Sequence, residues 1–228
     1  MSTKTALRTP RRVLRTLAAT ALLAAGAGTA AGQTVIQNVE PRPDPWIING
    51  CRIEPKTRCP GADLRHADLK NADLSGSDLK GAKLARADLR HVNLRGADIS
   101  DADLSGAQLQ IAFLQGAKAA GAKFVGANLD HARIGGADFT GADFTVAVLE
   151  MAQANRAKFV RATLTNADLQ EAKFYEVNFT GASMEGASIR FAIFQDAWME
   201  DCPTCPQHWQ TNRPVWEDYP EEAIETKP

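Results

Sequence analysis

Near the end of the chain, Cys202-Pro-Thr-Cys205 sets two thiols three residues apart, with His208 three residues further on. Thiols at this spacing can close a local disulfide, cycle as a redox pair, or supply two ligands to a metal ion. A redox pair needs a helix N-terminus to depress a thiol pKa, and no βαβ pattern surrounds these residues. A closed metal site needs a fourth ligand, which the tail does not obviously supply. His66, His91 and His131 are scattered through the chain. No nucleophile elbow, phosphate loop or metalloprotease helix is recognisable. The sequence therefore points to no catalytic residue, no cofactor and no metal site, with a redox or metal role for Cys202, Cys205 and His208 as the alternative.

What positions these residues is a period of five. From Ala62 to Met199 a large apolar centre recurs at every fifth residue, from Leu64, Leu69 and Leu74 to Phe194 and Met199, through twenty-eight units without insertion. Ala119 and Ala154 are the small exceptions. Two residues before the centre stands Ala in twenty-five units, replaced by Ser77, Val92 and Val177 in the others. On a helix a step of five turns about 500°, scattering the centres around the axis. On a straight strand successive centres would alternate between faces. Both sets reach one interior only if the chain bends once per unit, and right-angle bends close after four. The expected coil is a square of twenty residues, stacked at ~4.8 Å through backbone hydrogen bonds, with seven coils reaching about 34 Å.

Gly recurs two places after the centre, as at Gly76, Gly81, Gly96 and Gly106, where a type II turn requires positive φ. Runs such as Gly61-Ala-Asp-Leu-Arg, Gly96-Ala-Asp-Ile-Ser and Gly141-Ala-Asp-Phe-Thr resemble the pentapeptide-repeat family over residues 61 to 201. The resemblance implies an all-β fold, a right-handed quadrilateral parallel β-helix of about seven coils. Some members are similar to duplex DNA in shape and charge and protect DNA gyrase. That role needs a strongly acidic surface, whereas residues 61 to 200 carry eighteen acids and fifteen bases. Nucleic-acid binding is not expected either, since it needs a concentrated basic face.

Outside the repeats, Arg8, Arg11, Arg12 and Arg15 precede an apolar run from Leu17 to Ala27 and small residues at Ala27, Ala30 and Gly32. This is the pattern of a signal peptide over residues 1–32, cleaved within 27–32, and its apolar run is too short for a permanent span. The chain is expected to be exported, periplasmic or secreted, with no membrane attachment after signal removal. A proline-rich lead-in and cap occupies 33–56, the solenoid 57–201, and a cap or tail 202–228. Cys51 and Cys59 precede the solenoid and Cys202 and Cys205 follow it, too far apart for cross-pairing, so local pairs are expected.

Ten residues immediately before a centre are Asp, suited to bonding turn backbone. The anomalous outward residues are apolar. Column arithmetic places Ile111, Met151 and Phe191 on one corner, interrupted by His131 and Glu171, with Phe113 and Ile193 on the adjoining face and Val148 across the corner. Val146 and Trp198 are further outward apolar positions. Contiguous apolar surface marks interaction sites. The expected function is a non-catalytic exported structural or protein-interaction module that meets a protein partner or its own copy through this surface.

Overall fold

In the computed structural model, which describes residues 42–206, one local plan repeats at every unit. Around Leu64, Asp63 bridges to Lys83, Leu64 points into the core, Arg65 and His66 turn, and the Ala67 N–H donates to the Leu64 carbonyl at 3.2 Å. His66 has φ 58° while Arg65 keeps negative φ, the signature of a type II turn. The bridges are parallel and join residues twenty apart in four columns that start at Arg58, Asp63, Asp68 and Asp73. The Lys83 N–H donates to the Ala62 carbonyl at 2.9 Å, and the Leu64 N–H donates to the Lys83 carbonyl at 2.8 Å. The same two bonds recur up each column, so backbone groups of one coil are satisfied by the next.

Extended strands are not what holds the coils. Among the described residues the only strands are β1, Ile47–Ile48, and β2, Cys51–Arg52, an antiparallel pair at the N-terminal end. Each unit spends two of its five residues turning, which leaves length for a single bridge and not for a ladder of residues.

The interior is apolar, with the centres and the preceding Ala positions buried along most of the rod. The lower coils are filled by Leu, Ile and Val, and in the upper ones phenylalanines in register join an aliphatic column of Leu129, Leu149, Leu169 and Ile189. Phe139, Phe159 and Phe179 stack at 5.0 and 5.2 Å, Phe124 lies on Phe144 at 4.6 Å, and Phe174 on Phe194 at 5.1 Å. Edge contacts between these columns, such as Phe124 with Phe139 at 5.7 Å, are the favoured aromatic arrangement.

Both ends of the described chain are tied down. Arg42 donates to the carbonyls of Asp68 and Lys70 and lies over the Trp46 ring at 4.0 Å. Asn49 Nδ2 donates to the Asp63 carbonyl at 2.7 Å, seating the β1–β2 hairpin on the first coil. At the other end the Met184 N–H donates to Thr204 Oγ1 at 2.8 Å. The signal-peptide residues and the tail residues His208, Trp209, Trp216 and Tyr219 lie outside the described residues.

Candidate interaction surface

The ten Asp residues before the centres are structural. In all ten, Asp63, Asp68, Asp73, Asp78, Asp88, Asp98, Asp103, Asp138, Asp143 and Asp168, Oδ1 accepts the backbone N–H two residues on. This Asx bond bridges into the turn. Asn93, Asn128 and Asn178 do the same, so the acceptor matters more than the charge. Several of these carboxyls are held below their ordinary value: Arg65 brings Asp63 to about 2, Arg90 lowers Asp88, and Ser100 and Ser105 lower Asp98 and Asp103.

The cysteines meet locally. Cys51 and Cys59 have Cα atoms 5.6 Å apart and Cys202 and Cys205 5.3 Å, with sulfurs within bonding distance in both pairs. Cys59, at a centre position, is half-buried against the core, and Cys202 and Cys205 are almost fully buried. Among the described residues no three His, Cys, Asp or Glu side chains converge as metal ligands, and no helix is long and apolar enough to cross a membrane.

The apolar residues divide into two groups. Ile111, Phe191 and Ile193 are exposed, at 42%, 43% and 36%. Phe113, Val148 and Met151 are half-buried. Coils stacked this closely shield one another's side chains: Arg95 from the coil below and Arg133 from the coil above lie over the Phe113 ring, 4.4 and 5.5 Å from its centroid. Arg190 similarly lies 4.7 Å from the Phe191 ring. Trp198 is exposed at the rim of an open groove of about 360 Å³, whose Glu176 is held by Arg156 at 2.9 Å.

Backbone conformation separates one corner from the other three. All four corner columns hold positive φ, and three of them use Gly repeatedly: Gly61, Gly81, Gly121, Gly141 and Gly181; Gly106, Gly126 and Gly186; Gly76, Gly96, Gly116 and Gly136. The fourth column reads Asn71, His91, Ile111, His131, Met151, Glu171, Phe191 and has no Gly. Its φ values lie between 53° and 61°. Left-handed conformation costs roughly 1–2 kcal/mol for an ordinary L-residue and is a true outlier for a β-branched one such as Ile111. The strain was legible in the sequence as a column without Gly, a signal that a search for apolar residues alone does not use.

Parallel bridging between residues twenty apart, a turn in every fifth-residue unit and an apolar filling define a β-solenoid. Residues 56–84, 72–110 and 112–145 match the family description Pentapeptide repeats, and residues 159–203 match a second description of pentapeptide repeats. The chain belongs to the pentapeptide-repeat family, whose fold is a right-handed β-helix and whose members are generally structural or interaction proteins. No curated protein matches it in sequence. Solved structures similar to it include a trypsin-treated form of QnrB1, a plasmid-mediated fluoroquinolone resistance protein, at 16% identity over 63% of this chain and 91% of that one, with a TM-score of 0.44. Rfr23 from the cyanobacterium Cyanothece 51142 is 19% identical over 63% and 91%, with a TM-score of 0.36. HetL from Nostoc sp. strain PCC 7120, a protein involved in heterocyst differentiation regulation, is 26% identical over 63% and 87%, with a TM-score of 0.21.

Proposed function

We propose that this chain is a non-catalytic, exported interaction module: a square-sectioned rod of about seven coils, clipped at each end by a disulfide, that presents one corner to a protein partner or to a second copy of itself. The observation that carries the reading is the corner without Gly. Exposed apolar side chains at Ile111 and Phe191 stand there at positive φ, where Gly would relieve the backbone. Strain kept in a fold at an exposed position is a signature of a functional site. Burying such side chains in an interface supplies roughly 1.5–3 kcal/mol for each one fully removed from water.

The arginine-flanked signal pattern and the cysteine usage support an oxidising, extracytoplasmic address. Burial of Cys202 and Cys205 favours a structural clip over thiol exchange, which needs an accessible thiolate.

The test is the double substitution Ile111→Glu with Met151→Glu, followed by sedimentation and by capture of binding proteins. Glu171 already occupies this corner at φ 56°, so glutamate is compatible with the local backbone. Wild-type protein is expected to self-associate or retain a partner, and the double variant to lose that while keeping its circular dichroism. A strictly monomeric wild type with no partner lost on substitution overturns the reading.

A further inference from the structure

The bridge columns sort the rod's charges face by face. One column runs Asn93, Phe113, Arg133, Gln153, Lys173, Ile193. Beside it run Arg95, Gln115, Gly135, Asn155, Tyr175 and Gln195, each coil's carbonyl bonded to the corner of the coil below. From Asn93 to Gln195 this face contains no carboxylate, while over the same residues each of the other three carries two or three. Its acidic borders are largely engaged or distant from the centre: Asp73 accepts from Asn93 Nδ2 at 2.9 Å, Glu176 is held by Arg156, and Glu171 and Asp196 lie on the corners toward the far end.

The cations on this face alternate with neutral coils. Arg95, Arg133 and Lys173 occupy every second coil; Arg133 and Lys173 share one column at a rise of ~10 Å for two coils, and Arg95 lies in the column beside it. Between them come Phe113 with Gln115, then Gln153 with Asn155, then Ile193 with Gln195. None of the three cations has an ion-pair partner among the described salt bridges, and Arg95 and Arg133 are set in place by the Phe113 ring between them. Gln115 Oε1 is shielded from solvent and accepts no hydrogen bond, so it lacks a donor.

We infer that this face binds an extended anionic polysaccharide whose negative charge falls on alternate sugars. Sugar carboxylates then pair with Arg95, Arg133 and Lys173, and the intervening neutral sugars meet the amides and the face of Tyr175. The spacing decides against other linear polyanions. An extended acidic peptide presents same-side carboxylates every ~6.6 Å, out of step with a ~10 Å repeat. Nucleic acid carries a phosphate every ~3.4 Å of axis per strand and needs a denser basic face. The inference does not depend on the apolar corner, and its test leaves that corner unchanged.

The test uses the full chain and hyaluronan octasaccharide, whose carboxylates lie on alternate sugars, with an oligomer of N-acetylglucosamine as the neutral probe, poly-glutamate as the peptide and single-stranded DNA as the nucleic acid. Hyaluronan is expected to bind at least tenfold more tightly than each of the others, and binding is expected to weaken with added salt. The triple variant Arg95→Ala, Arg133→Ala, Lys173→Ala is expected to lose at least tenfold in affinity. The control Lys83→Ala, Lys118→Ala, Lys123→Ala, on other faces, is expected to match wild type, with circular dichroism checking that both variants fold. Absence of hyaluronan binding, equal or tighter binding of the neutral oligomer, poly-glutamate or DNA, or equal losses in the two triple variants overturns the inference.

Discussion

Phe139 stands directly over Ala119. The Lys118–Asp138 bridge fixes the register, the Ala119 N–H donates to the Asp138 carbonyl at 2.8 Å, and both side chains are fully buried. The ring fills the space that the small residue leaves, with Phe124 at its edge and Phe159 on its upper face at 5.0 Å. Phe139→Ala should cost about 3–5 kcal/mol through lost burial and a cavity, and Ala119→Leu about 1–3 kcal/mol through overpacking. The double variant Ala119→Leu, Phe139→Leu should cost less than the sum of Ala119→Leu and Phe139→Leu measured singly, because the sites share one space. Urea midpoints of the variants check this; strict additivity contradicts the shared packing.

Backbone strain at the corners should be measurable without any change in packing. A Cβ added at Gly116 meets nothing within 4 Å, yet its φ is +65°. Gly116→Val should therefore cost roughly 1–2 kcal/mol from conformation alone. Val146, at φ 52° and half exposed, is the reverse case. Val146→Gly should be neutral or stabilising by up to about 1 kcal/mol, where the same change at an ordinary strand position would be harmful. Denaturant midpoints for the two variants should move in opposite directions or, for Val146→Gly, not fall.

Cys51 and Cys59 close a short loop beside the first coil. If oxidised, the link restricts the unfolded chain by an amount that loop length sets at roughly 2–3 kcal/mol. Replacing both by Ser should lower the unfolding midpoint accordingly, and reduction of the wild type should lower it in the same direction. An unchanged midpoint in both experiments contradicts a stabilising disulfide there.

Acid should weaken the rod through its turns. The carboxyls of Asp63, Asp88, Asp98 and Asp103 are depressed in the fold, so the unfolded chain takes up their protons first as pH falls. Their contribution is complete above about pH 4, the ordinary carboxylate range, and is lost as pH falls toward 2, where Asp63 titrates. Thermal unfolding followed from pH 5 to pH 2 should show a declining midpoint. The paired change Asp63→Asn, Asp88→Asn keeps the turn acceptors, as Asn93 and Asn128 do, and should flatten the decline.

The sequence was most legible where chemistry repeats. Ala at one position and Leu at the next but one, every five residues, dictates an inward surface that no helix or straight strand could form. The same arithmetic correctly stacked Asp63, Lys83 and Asp103. Side-chain cover was harder to read, because it depends on rotamers from adjacent coils. Phe113 looks outward by register but is covered by Arg95 and Arg133, and Met151 is half-buried although Ile111 and Phe191 on the same corner are exposed. The acid-free face was hidden for a different reason: its residues lie twenty apart in the chain and become neighbours only once the coil is closed.

A period of five with closure at twenty also constrains how such a chain can change length. Removing five residues between Phe113 and Arg133 would preserve the inward sequence of Ala and large centre, so the interior would still fill. It would nevertheless turn everything downstream by one face, setting Arg133 above Gln108 in place of Phe113 and carrying Lys173 round with it. Only the gain or loss of twenty residues leaves all four faces aligned. Surface patterns that run the length of the rod can therefore persist through duplication or deletion of whole coils, whereas the loss of a single unit erases them while the core survives.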